Sequence, residues 1–338
     1  MVINQSYFSR QTTEHLKGFL AIAVLLHHIY QKTAIISHDS LAGFFCQSVG
    51  YYCVSMFFFI SGYGLMKSLS KKREGYLSNY QRNRVLPIFL INALLVLIYS
   101  ITKTCLGIEV TPINTTLSLF YGGTIVGNGW YLLCIMVFYE LFYISAKLNI
   151  RHVAATVLVL TLAYIVVAFK MPTWYTVSSL AFPAGVFFCE YKDRLDHWLK
   201  NNLSLAFLFV GASYIICFVT LFFLNHNILP NIPGRGLIKY GLSLIHGLFL
   251  SGVLILILTQ VGDSLQKETK IKRFLTQNYL ELYVMQGLAF ILLRNPMWGV
   301  ENDWIFLISS IAITLVLAVV VHPIFNQIIV KVKAQKNG

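Results

Sequence analysis

The chain has 338 residues, of which 57% are hydrophobic, 14% aromatic and only 12% charged, and its mean hydropathy is +0.68. That composition excludes an ordinary soluble domain and a disordered chain, and defines an all-α polytopic membrane protein. The formal net charge of +13 implies no nucleic-acid partner, because a topological charge bias and attraction to anionic membrane lipid account for it.

In chain order, apolar runs bounded by charge, Pro and Gly predict ten transmembrane helices at 15–33, 41–66, 85–102, 129–146, 152–169, 174–191, 203–224, 237–259, 276–293 and 303–330. The sixth run, Tyr175 to Tyr191, is interrupted by Pro183 and Gly185 and reads either as a span or as a kinked, re-entrant segment. An even number of spans puts both termini on one side. With the N-terminus in the cytoplasm, all of the 26 basic residues except Lys32, Lys103, Lys170, Arg235, Lys239 and Arg294 fall in inside segments, Lys336 included, so both ends are predicted to be cytoplasmic. Residues 1–338 read as one continuous bundle without repeats, low-complexity tracts or an appended soluble domain. No cleaved leader is expected, since the first apolar run is itself the first span. The longest loop, about 103–128, contains Gly107, Pro112, Gly122 and Gly123 and is expected to fold over an outer cavity. The cysteines, Cys46, Cys53, Cys105, Cys134, Cys189 and Cys217, form no CxxC pair and read as free, mostly buried residues, with neither metal nor disulfide framework implied.

Three groups of residues break the apolar background. The first is Glu14-His-Leu-Lys17-Gly18 running into His27-His28. At about 100° per residue, Lys17 lies about 20° to one side of His28 on the helix and Glu14 about 40° to the other, so the three share a face, with Gly18 and Ala21 between them as the wall of a narrow channel. Lys17 and His28 stand roughly 16 Å apart along the axis, about half the hydrocarbon thickness. Lys17 is open to two readings, an ammonium snorkelling to headgroups or part of a reactive face. His28 likewise is either a packing residue or a membrane-embedded base, for which an ordinary pKa near neutrality suits it. His27 is turned about 100° away and reads as a packing or interfacial residue.

The second group is Gln81-Arg82-Asn83-Arg84-Val85-Leu86-Pro87, where the chain re-enters the membrane. Arg82 and Arg84 are either positive-inside anchors or a paired guanidinium clamp for the phosphates of a cytosolic ligand. The third is Phe57-Phe58-Phe59-Ile60-Ser61-Gly62-Tyr63-Gly64, in which the glycines permit close helix contact or Ser61 lines a polar pocket.

Glu14-x-Leu-Lys17-Gly18, the ten residues separating Lys17 from His28, Phe58-Phe59-Ile60-Ser61-Gly62 and Arg82-x-Arg84…Pro87 together resemble the bacterial membrane-bound acyltransferase family 3. Gly129-Trp130-Tyr131-Leu132, Phe138-Tyr139, Phe182-Pro183-Ala184-Gly185-Val186 and Tyr279-Leu-Glu281-Leu-Tyr283 are similar to its looser later landmarks, and the resemblance covers about residues 12–330. It implies a ten-helix enzyme of the bacterial cytoplasmic membrane that takes an acyl group, usually acetyl, from cytosolic acyl-CoA and places it on a hydroxyl of a lipid-linked or cell-surface glycan. On that basis His28 is the expected catalytic histidine, supported by Glu14 and Lys17, while Arg82, Arg84 and Ser61 belong to the acyl-CoA site, with no metal. Transfer is expected either directly or through an acyl-histidine. Lysine at position 17 replaces the usual arginine, and Gln286 stands where many relatives carry histidine, which leaves its role and that of Glu281 open. The alternative from another class is a transporter or flippase of a lipid-linked glycan, or an export component.

Overall fold

The computed structural model describes residues 7–228 and 233–334. Among these residues it contains eleven α-helices and no strand: α1 (Arg10–Tyr30), α2 (Leu41–Lys72), α3 (Leu86–Cys105), α4 (Pro112–Phe120), α5 (Gly129–Leu148), α6 (Val153–Val167), α7 (Ala181–Glu190), α8 (Lys192–Asn225), α9 (Arg235–Gln266), α10 (Lys270–Leu293) and α11 (Asp303–Ala334). Each of the ten predicted runs is matched by a helix, and α4 is an extra short helix inside the 103–128 loop. Lys336 lies outside the described residues.

Seven of the described helices are long and apolar enough to cross a membrane: α2, α3, α5, α6, α8, α9 and α11. The other three predicted spans depart for identifiable reasons. α1 carries Glu14, Lys17, His27 and His28, and α10 carries Gln277, Asn278, Glu281 and Gln286, so both are less apolar although both lie inside the bundle. α7 has 10 residues and rises only about 15 Å. The stretch before it is irregular but internally satisfied: Ser178 donates to the Tyr51 carbonyl and Ser179 to that of Tyr175, both side chains being buried. Non-helical backbone at membrane depth is tolerated when protein supplies its partners in this way.

Local signals set the helix ends. Ser9 caps α1 by accepting from the Thr12 amide, Thr111 caps α4 and Thr269 caps α10. α8 is kinked at Asn202, which separates its charged first turns from the apolar part predicted as 203–224. α1 packs against α2, α9, α10 and α11 and is the centre of the bundle, whereas α8 and α11 are the most exposed of the long helices.

Contacts between chain ends sort the loops onto two faces. Tyr7 donates to Asp196, His15 bonds the Leu265 carbonyl, and Arg82 donates to the Val332 carbonyl, so the starts of α1, α3 and α8 and the ends of α9 and α11 lie at one end of the bundle, the basic end. At the far end, the Ala34 amide donates to Asp303, Arg294 bonds the Lys32 carbonyl, and Tyr175 donates to the Tyr121 carbonyl. This parity is the one expected for ten alternating segments.

α2 and α7 approach backbone to backbone through two reciprocal glycines. A methyl group at Gly62 would lie 2.2 Å from the Phe182 carbonyl oxygen, and one at Gly185 would lie 2.0 Å from that of Phe59. Small residues of this kind let membrane helices meet backbone to backbone. Gly64 has open space instead. Gly62→Ala and Gly185→Ala should therefore each cost about 1–3 kcal/mol, read as a lower melting temperature in detergent, while Gly64→Ala should not destabilise.

Candidate active site

α1 and α10 run in parallel from the basic end and touch where Gly18 meets Leu275; a methyl at Gly18 would lie 2.7 Å from Leu275 Cβ. That contact packs the middle of this α1 face, with fully buried Ala21 nearby, so the face read as the wall of a narrow channel is at this point a helix interface, with polar residues toward each end.

At the far end of α1, His28 and Gln286 of α10 meet at 3.2 Å between Nδ1 and Oε1. The Gln286 amide nitrogen donates to the Tyr283 carbonyl at 2.6 Å, which turns its oxygen toward the ring. His28 Nδ1 must then carry the hydrogen and donate, and in the neutral imidazole the Nε2 lone pair is left available. His28 lines a cavity of 580 Å³, bounded also by Lys32, Tyr51, Asn128, Trp130 and Tyr283 and roofed by residues 123–128 of the expected covering loop. The roof is fixed in place: Ser118 accepts from the Ile125 and Val126 amides, and Asn128 donates to the Tyr283 carbonyl. His27 lines the same cavity but is a packing residue in its geometry. Its Nδ1 donates to the Cys46 carbonyl at 2.8 Å, and its Nε2 abuts Gly50, where a methyl would lie 2.5 Å away.

Lys17 belongs to a second polar cluster toward the basic end. Its ammonium sits 5.3 Å from the centre of the Tyr279 ring, with Arg84 and Tyr139 as neighbouring polar groups and Ser61 beside Tyr139. Arg84 Nε donates to the Tyr76 hydroxyl at 3.0 Å. Arg82 faces elsewhere, donating from Nε to the Val332 carbonyl at 2.7 Å and keeping a buried, unpartnered Nη2. The two arginines thus do not form the paired clamp read from the sequence, because positions two apart on a helical turn point to different sides. Neither has a carboxylate partner among the described residues. Glu14 is not paired with Lys17 either; its carboxylate meets Arg10 at 2.6 Å in an exposed i,i+4 ion pair, the kind of contact worth well under about 1 kcal/mol.

Aromatic rings occupy the space between the two clusters. Tyr279, beneath Lys17, stacks with Phe57 at 6.5 Å; Phe57 meets Tyr283 at 6.0 Å; and Tyr283, a wall of the far cavity, packs on Tyr131 at 4.8 Å. From the sequence, Gln286 stands only as a departure from a family pattern, yet it is the residue that orients His28. The available signal was an amide in an otherwise apolar helix face. Glu281, also left without a role, bonds His322 of α11 at 2.8 Å, away from this cavity. Among the described residues no three His, Cys, Asp or Glu side chains gather as a metal site, and Cys105 is exposed rather than buried.

The family model described as an acyltransferase domain, acyltransferase family 3, matches residues 13–322. No curated protein and no solved structure matches the chain. A multi-pass helical bundle with a polar site in its interior is the class of protein that the fold defines, and the chain belongs to acyltransferase family 3: it is a membrane acyltransferase. The transporter alternative gains no support from these findings.

If the Gln286 contact fixes the His28 tautomer, Gln286→Leu, which keeps the volume and removes the acceptor, should lower kcat about tenfold, the effect of losing one hydrogen bond of about 1–1.5 kcal/mol, and leave both substrate KM values in place. Steady-state kinetics with each substrate varied in turn would show it; an unchanged kcat would reduce Gln286 to a packing residue.

Proposed function

We propose that the protein moves an acyl group, acetyl being the expected one, from cytosolic acyl-CoA to a hydroxyl of a cell-surface or lipid-linked glycan at the opposite face of a bacterial cytoplasmic membrane, with His28 as the base. The observation that carries this reading is the His28–Gln286 pair: an imidazole with Nδ1–H engaged and Nε2 available, set in the wall of a roofed cavity at the far end.

In this reading the acceptor hydroxyl gives its proton to His28 Nε2 as its oxygen attacks the thioester carbonyl carbon. The carbon–sulfur bond breaks, and the CoA sulfur takes the proton back from the imidazolium. The donor enters from the basic end. Arg84 and Lys17 are cations without carboxylate partners among the described residues, which suits phosphate oxygens, and Arg82, turned toward α11, offers its unpartnered Nη2 as a separate contact. In this reading Ser61 and Tyr139 are the next polar groups the donor would meet. The pantetheine arm then has to cover the roughly 16 Å of α1 between Lys17 and His28, past the ring layer of Tyr279, Phe57 and Tyr283. Glu14 acts at most by holding Arg10 near the entrance.

Two sets of variants test the roles. His28→Ala should lose roughly 10²–10⁴-fold in kcat with radiolabelled acetyl-CoA, the usual contribution of a positioned acid or base. His27→Ala should retain most of kcat and lose stability instead, because it empties the contact with Cys46 and Gly50. Equal tolerance of both would remove His28 from the mechanism. Arg84→Ala should raise the KM for acetyl-CoA roughly ten- to hundredfold, equivalent to about 1.5–3 kcal/mol for a charge-assisted contact, and leave the acceptor KM unmoved; Arg84→Lys should recover only part of it. Arg82→Ala should add a loss of melting temperature, since its Nε also holds the end of α11. Unchanged acetyl-CoA binding in the double alanine variant would make the pair an anchor only.

A further inference from the structure

The positive-inside bias leaves Lys32, Lys103 and Arg294 unexplained, because all three lie at the far end and all three line the cavity that holds His28. Basic residues on the disfavoured side need a reason other than topology. Arg294 has one: it is bound to Asp303 at 2.5 Å, to the Val300 and Lys32 carbonyls, and against the Phe306 ring, so its charge is neutralised and it ties the ends of α10 and α11 to α1. The lysines are different. The Lys32 ammonium rests 5.7 Å from the Phe290 ring centre, Lys103 makes only a long 3.4 Å bond to the Thr124 carbonyl, and neither has a carboxylate partner among the described residues.

No Asp or Glu is among the lining residues. Two ammonium groups without a carboxylate partner among the described residues therefore face one recess, Lys32 four residues after His28 and just past the end of α1, and Lys103 at the end of α3. A low-dielectric cleft lined by one sign of charge concentrates the opposite charge. Trp130 and Trp174 also line it, Trp174 with 44% of its surface exposed, and flat apolar rings of this kind suit the faces of a pyranose.

Resting on the acyl-transfer reading, we propose that the acceptor is an anionic saccharide. A phosphate or carboxylate close to the hydroxyl to be acylated is bound by Lys32 and Lys103, while Trp130 and Trp174 hold the sugar ring and His28 faces the hydroxyl. Neutral saccharides lack the group that the two lysines require.

The test uses the full-length protein in nanodiscs of zwitterionic phosphatidylcholine and three monosaccharide probes: methyl glucoside, glucuronic acid and glucose 1-phosphate. Binding is followed by saturation-transfer NMR at low and high salt. At least one anionic probe should bind about tenfold or more tightly than the neutral one, with the preference shrinking at high salt. The better of the two anions identifies carboxylate or phosphate as the group recognised. Lys32→Gln combined with Lys103→Gln should abolish the preference while the melting temperature stays unchanged; Lys32→Arg with Lys103→Arg should restore it.

Equal binding of all three probes, no binding of any, or a preference that survives the double glutamine variant would overturn the proposal, the last outcome meaning that the lysines serve only lipid headgroups. If the double variant melts early, the arginine pair decides alone: a folded arginine protein without the preference overturns it as well. Because the readout is binding, its failure is separate from failure of the acyl-transfer reading, which would appear as absent transfer from acetyl-CoA with the anion preference intact.

Discussion

The hydrogen bond from His28 to Gln286 across the α1–α10 interface is the interaction on which the rest of the site depends. It joins the two least apolar helices of the bundle core, and it converts an imidazole that could hold its proton on either nitrogen into one with a defined free lone pair. It also requires α1 and α10 to lie close enough for side chains to meet, which the Gly18–Leu275 contact allows. Polar groups in hydrocarbon are costly unless they are partnered, so each of these residues is placed by its neighbour rather than by its own preference.

Most of the fold was legible because hydrocarbon thickness and backbone hydrogen bonding leave few options for an apolar run. Each predicted run contains a helix, although only 181–190 of the sixth is α-helical, and residues of the 103–128 loop line a cavity. What the sequence could not fix depends on partners distant in the chain. The irregular stretch before the short α7 is held in part by Ser178 donating to the Tyr51 carbonyl, 127 residues away, a partner that no local pattern announces. Helical spacing grouped Glu14, Lys17 and His28 on one face, but it could not show that Gly18 would be covered by Leu275 of α10, nor that Arg10 would take the Glu14 carboxylate. The Arg82–Arg84 spacing suggested a pair, whereas the backbone turn sends one side chain to α11 and the other to Tyr76. Gln286 was hidden by comparison with a family pattern that expected histidine there, although an amide can hold an imidazole nitrogen just as well.

The arrangement that results is two polar clusters on either side of an aromatic layer. Lys17, Ser61, Arg84 and Tyr139 lie toward the basic end, and His28, Gln286, Lys32 and Lys103 toward the far end, with Tyr279, Phe57, Tyr131 and Tyr283 between. A group passing between the clusters has to be narrow and largely apolar. Packed rings, rather than polar groups, stand between the two clusters. In the transfer proposed above, this layer would stand between a donor entering from the basic end and an acceptor held at the far end.

The sidedness of transfer tests this account most directly. Purified protein reconstituted in sealed proteoliposomes, with acetyl-CoA supplied only to the basic end and an acceptor glycan only to the far end, should transfer the acetyl group across the intact bilayer and release CoA on the side where acetyl-CoA was added. Transfer that requires donor and acceptor in the same compartment would contradict it.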